Sequence, residues 1–158
     1  MWTSYIGAAM LAAGGMIGLH AINDDEQVAQ DGARTALAAS MAVYRDAVRT
    51  YAQQHPAFTG AVVDAALAMP AWGPATQPAL WRNYIAPNGM IVVYAGTLPA
   101  VGIGAELKVL ARGSLLAGLA NRAGQRIDSA GAAGSSATLP AVPNAVIPDG
   151  APVWLAWR

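Results

Sequence analysis

The 158-residue chain contains no cysteine, which excludes a disulfide framework, thiolate metal sites and a cysteine nucleophile. Charge is scarce and balanced: nine Lys and Arg face nine Asp and Glu, and only 11% of residues are charged. A chain without excess cations does not suit nucleic acid as its main partner, because phosphate binding draws on Lys and Arg. The two histidines, His20 and His55, are too few and too far apart for a standard zinc site. There is no internal repeat and no acidic or basic tail. What remains is apolar: 55% of residues are hydrophobic, and the mean hydropathy of +0.36 is high for a soluble domain. With Ala, 17 Gly and 10 Pro prominent, small side chains supply much of that excess.

Residues Met1 to Ile22 carry no charge. A helix of that length spans about 30 Å at 1.5 Å per residue, the thickness of a bilayer's hydrocarbon core. Trp2 and Tyr5 sit where interfacial aromatics are favoured, and the run ends at Asn23-Asp24-Asp25-Glu26, which belong in water. The segment predicts a single-pass anchor, residues 1–22, in contact with lipid, followed by one domain, residues 23–158. A cleaved signal peptide would carry a basic start and a small-residue cleavage site. No Lys or Arg precedes Arg34, and Leu19-His20-Ala21 is a poor site, so the expectation is an uncleaved anchor. The acidic flank and the absence of cysteine fit a periplasmic C-terminal part, so the expectation is an anchor in a bacterial inner membrane with the domain in the periplasm. Gly14 and Gly18 form one G-x-x-x-G, which lets helix backbones approach closely in lipid. Self-association through this helix is therefore an expectation.

From Asp24 to about Gln54 the pattern reads as one helix, with Gly32 its one glycine and a point where it could hinge. Leu37, Met41, Tyr44, Val48 and Tyr51 recur at spacings of four and three, which marks a buried face. His55-Pro56 ends it, because proline disfavours helical geometry in the residue before it. Ala61 to Met69 predicts a short helix. Pro70, Pro74 and Pro78 then punctuate a loop holding Trp72. An aromatic on a loop either plugs the domain's own core or meets a partner, and Trp72 is the candidate contact residue. Trp81 to Ile85 and Met90 to Tyr94 flank Asn88-Gly89, a strong hairpin signal. A short helix from Ile103 to Arg112, a strand from Ser114 to Leu119, a return over Gln125 to Ile127, a small-residue loop from Ser129 to Ser136 and a last strand from Pro152 to Trp157 complete the reading. Burial is the simplest reason for that last strand's apolar composition and its two tryptophans. A long N-terminal helix followed by short antiparallel strands is an α+β arrangement, with the long amphipathic helix packed on a small sheet.

Candidate chemistry is thin. His55 at a helix end suits capping, where the dipole favours a cation. Asp24, Asp25 and Glu26 lack the alternating ligand pattern of a calcium loop and read as a solvated boundary. Gly102-Ile103-Gly104 lacks the third glycine and surrounding unit of a phosphate-binding turn, and Ser114, Ser135 and Ser136 lie in no nucleophile elbow. The expectation is a non-enzymatic chain with no cofactor and no metal.

The order of features resembles the small PilM proteins of conjugative thin pili and related type IV pilus systems. The residues that carry the likeness are the apolar N-terminus, Met41 to Val48 with Tyr51-Ala52, Thr59-Gly60, the Trp72 loop, Asn83-Tyr84-Ile85, Val93 to Pro99, and Leu139-Pro140 through Ile147 to Val153. The resemblance covers nearly the whole chain. It implies an inner-membrane component of a pilus basal body or pilin-transport apparatus, with other pilus assembly proteins and pilins as partners, and transfers no catalytic residue. A longer, nucleotide-binding, actin-like pilus protein shares the name and is not similar. Two other readings stand beside it: a minor pilin-like subunit, whose pilin-like architecture of apolar helix plus α+β head is similar although the basic leader expected of a prepilin is missing here, and an unrelated periplasmic binding module.

Overall fold

The computed structural model describes residues 3–70, 80–129 and 136–158, with side chains from residue 26 onward. Trp72, Pro74, Pro78 and most of the small-residue loop lie outside the described residues. So do the side chains of the predicted anchor, residues 1–22. Among the described residues no helix is long and apolar enough to cross a membrane.

The first element is α1, Thr3–Gln54, 52 residues long. By its contacts the chain divides into two units, Met1–Ala33 and Arg34–Arg158. In the first unit the described side chains, Glu26 to Ala33, are all exposed. In the second, α1 buries Ala38, Ser40, Met41, Tyr44, Ala47, Val48 and Ala52. The three- and four-residue spacing of these positions gathers them on one side of a helix that turns every 3.6 residues. Alanines at 38, 47 and 52 leave room for close approach, while Leu37 and Tyr51 are half-buried against the core. Past the end of α1, the His55 N–H and Nδ1 both lie 3.0 Å from the Tyr51 carbonyl, and the imidazole stacks on the Tyr51 ring at 4.1 Å.

The segment from Ala61 to Met69 is not the predicted helix. It holds a single 3-10 turn at Asp64–Ala66, flanked by extended residues at Val63 and Leu67. Its backbone is drawn to a strand instead: Gly60 and Ile85 exchange two hydrogen bonds of 2.8 Å. The Asn83 side chain accepts from the Val62 N–H at 2.7 Å and donates to the Val62 carbonyl at 2.9 Å. Backbone groups satisfied in this way are lost to a helix.

Six strands follow: β1 Trp81–Ile85, β2 Met90–Ala95, β3 Ala117–Asn121, β4 Arg126–Asp128, β5 Ala137–Thr138 and β6 Pro152–Trp157, with helix α2, Gly104–Leu110, between β2 and β3. They form one sheet in the order β1-β2-β6-β3-β4-β5, antiparallel at every pair. The last strand in sequence is thus an inner strand, and it joins the β1–β2 hairpin to the β3–β4 hairpin. That position explains why β2 and β6 are almost wholly apolar. Ile91 to Ala95 and Pro152 to Leu155 are buried without alternation, so both faces of the central strands are covered. Pro152 is tolerated because it opens its strand. Gly118 is fixed by space: a Cβ there would fall 2.4 Å from the Asp128 carbonyl oxygen.

Candidate functional site

The helix α1 is fastened to the sheet by polar contacts as well as apolar ones. Registers place Trp81, Asn83 and Ile85 on one face with Ala95, Val93 and Ile91, and then with Trp154 and Ala156 of β6. Three contacts tie α1 to that face. The Trp81 Nε1 donates to Ser40 Oγ at 2.9 Å, and Ser40 in turn donates to the Leu37 carbonyl at 2.7 Å. Asn83 Nδ2 donates to the Tyr44 hydroxyl at 2.7 Å, and that hydroxyl donates to Asp64 at 2.7 Å. The Arg45 guanidinium lies 4.0 Å from the Trp154 ring centroid and pairs with Asp46 at 2.6 Å.

Burial and the hydrogen bond to Asp64 both push the Tyr44 phenol well above its ordinary range, while Asn83 works in the opposite direction. Tyr94 is raised as well, by burial. These phenols stay neutral at physiological pH and serve as hydrogen-bond partners and packing groups. At the far end of β6 the Arg158 guanidinium donates to the carbonyls of Pro56 and Phe58, while the residue's own N–H bonds Gly89 at 3.4 Å. That arginine holds the exit from α1 against the tip of the first hairpin.

Met41, Tyr44 and Val48 are buried, and Leu37 and Tyr51 are partly so. Gly14 and Gly18 fall within the span of α1, where surroundings lie outside the described residues. Trp72 lies outside them too. Among the described residues no group of three His, Asp or Glu is gathered as a metal site. A shallow open depression of about 160 Å³ is lined by Arg122, Leu139, Val142, Val146 and Ile147, together with neighbouring residues of the same loop. Its one charged side chain has no acid–base partner in the lining.

The surface feature missed by the sequence reading is Trp157. The two tryptophans of β6 were expected to share one buried role. Trp154 is 4% exposed but Trp157 is 53% exposed. Successive side chains along a strand point to opposite faces, so residues three apart cannot share one. Trp157 sits opposite Met90 at the end of the β2–β6 pair. Val153 and Leu155 share its face and are buried, so Trp157 owes its exposure to its place at the end of the strand, which the sequence does not mark.

The PilM family profile matches residues 8–155. The fold is similar to a crystal structure of a protein assigned as PilM from Escherichia coli B7A, at 25% sequence identity and a TM-score of 0.52, covering 80% of this chain and 94% of that one. No curated protein gives a significant match. With the family profile running across almost its entire length, the chain belongs to the PilM family of small conjugative-pilus proteins.

Proposed function

We propose that the chain is a non-enzymatic inner-membrane component of a pilus basal body or pilin-transport apparatus, acting by contacts with other pilus assembly proteins and pilins. Residues 1–22 enter the lipid bilayer and the domain beyond them lies in the periplasm. Family membership supports the pilus role, and the uncharged run from Met1 to Ile22 supports the anchor. The observation that carries the contact mechanism is Trp157, a large aromatic more than half exposed on an otherwise well-buried strand. Exposed aromatics of this kind become interface anchors because they bury large area at little entropy cost. Trp72 is a second candidate contact. The buried polar side chains support a structural rather than catalytic use, since Ser40, Tyr44 and Asn83 all hydrogen-bond within the domain.

The test combines location with contact. A cysteine introduced at exposed Ser136 is unique in the chain. It should react with an impermeant maleimide in cells whose outer membrane alone is permeabilised. Reaction only after inner-membrane lysis reverses the orientation. Trp157→Ala should abolish piliation while the purified protein keeps its melting temperature.

A minor-pilin reading is favoured by one observation, the long α1 whose second half lies on an antiparallel sheet. N-terminal sequencing separates the two: a retained Met1 fits the anchor, and cleavage near Gly15 fits the pilin.

A further inference from the structure

The corner that follows α2 exposes an apolar and basic surface. Val109, Leu110 and Leu115 are 75%, 44% and 37% exposed, and Lys108 and Arg112 beside them are exposed as well. Between Glu106 and Asp128 the chain carries Lys108, Arg112, Arg122 and Arg126 and no acid. Glu106, one turn before the corner, is only half-exposed, and Arg126 is paired with Asp128 at 2.7 Å. The cations of the corner itself are therefore Lys108 and Arg112.

The backbone holds this corner in a defined shape. The Gly113 N–H bonds the Lys108 carbonyl at 2.9 Å and the Arg112 N–H bonds the Val109 carbonyl at 3.1 Å. That pair of bonds closes a helix through a left-handed residue. The left-handed position is taken by Arg112, at φ 52°, where glycine would fit without steric conflict. An arginine thus occupies a position where backbone geometry alone favours glycine, between Leu110 and Leu115 in the chain.

We infer that this corner is a contact surface for anionic lipid headgroups, with Val109, Leu110 and Leu115 entering the headgroup–acyl boundary and Lys108 and Arg112 meeting lipid phosphates. Charge complementarity selects the partner: exposed aliphatic groups beside the exposed Lys108 and Arg112, with the acid nearest in sequence, Glu106, largely withdrawn from the surface, match a negatively charged bilayer surface. The inference rests on the membrane placement proposed above for access to lipid, and its test reads the two separately.

Because the chain lacks cysteine, Val109→Cys gives a single labelling point for an environment-sensitive fluorophore. The full chain is mixed with phosphatidylcholine vesicles and with vesicles containing phosphatidylglycerol. Co-flotation reports the anchor, and emission reports the corner. The expected result is co-flotation with both vesicles, and a blue shift with anionic vesicles that nitroxide-labelled lipid quenches and salt reverses. Each cation removed should lower the inserted fraction about fivefold relative to the free one. Arg112→Gly is the separating variant, since it should weaken the shift while the melting temperature holds or rises. Co-flotation with no anionic-lipid shift overturns the lipid contact and leaves the anchor standing. A shift that lipid-borne nitroxide does not quench also overturns it, and points to burial against protein. Flotation with neither vesicle overturns both readings.

Discussion

Asn83→Ala should unfasten α1 and the Ala61–Met69 segment from the sheet together. The Asn83 amide is 5% exposed and makes hydrogen bonds to the Val62 N–H, the Val62 carbonyl and the Tyr44 hydroxyl, at 2.7, 2.9 and 2.7 Å. Each such bond contributes about 1 kcal/mol net, and a buried group left without a partner adds about 1–3 kcal/mol. Val62 is itself buried, and alanine leaves both its N–H and its carbonyl unpaired. The expected loss is about 3–5 kcal/mol, a large part of the roughly 5–15 kcal/mol that stabilises a domain of this kind. In a thermal melt of the detergent-solubilised full chain that is a fall in Tm of about 10–20 °C. Asn83→Asp keeps the acceptor for Val62 N–H and loses both donors, so it should be at least as damaging at neutral pH and should recover partly on acidification. A Tm shift below about 4 °C for Asn83→Ala would refute the idea that this amide joins the three segments. A double-mutant cycle with Tyr44→Phe should give a coupling of about 0.5–3 kcal/mol, since the two side chains share a bond.

Four further outcomes follow from the same geometry. Met41→Ala, at a fully buried position, should destabilise by about 2–5 kcal/mol in denaturant titration. Trp154→Ala should reduce stability by about 3–5 kcal/mol and free the Arg45 guanidinium, whereas Trp157→Ala should leave the melt within a few degrees and act on piliation. Tyr44 has its folded-state pKa raised above the unfolded value of about 10, by burial and Asp64. The stability tied to its neutral form is therefore complete below about pH 10 and lost as pH rises beyond it. Phenolate absorbance should show Tyr44 resisting ionisation until the fold opens, and Tyr44→Phe should flatten the alkaline limb, with Tyr94 leaving a remainder. Asp128 runs the other way: Asn121 and Arg126 hold its carboxyl below the usual range, so its contribution is present at neutral pH and fades as pH falls through that lowered value. An amide at Asp128 should remove that part of the acid dependence.

Local signals told most about elements and least about their partners. The strand Pro152–Trp157 was legible from its apolar run, but its place between β2 and β3 was not. The registers Val93 to Trp154 and Ala117 to Trp154 join residues far apart in sequence, and no local pattern encodes such pairing. The first hairpin was legible from Asn88-Gly89, but Asn88 does not take the left-handed conformation that a two-residue Asn-Gly turn needs. Only Gly89 has positive φ, at 84°, and its N–H bonds the Ala86 carbonyl at 2.9 Å. Pro87 and Asn88 take the corner and Gly89 the left-handed residue after it, the three-residue form of hairpin loop. Of the Leu37 to Tyr51 stripe, Met41, Tyr44 and Val48 are buried and Leu37 and Tyr51 partly so, and Ala38, Ala47 and Ala52, which the stripe left out, lie as deep because small side chains bring the helix close. The apolar content of Ala61–Met69 suggested a helix because nothing nearby revealed that Asn83, some twenty residues on, bonds its backbone.

Pilus assembly itself is the most direct measure. In a strain lacking the whole protein, surface pili counted by electron microscopy, together with conjugation frequency, should fall to background and return with the wild-type chain but not with Trp157→Ala. Unchanged pilus number in the deletion strain would contradict the proposed role outright.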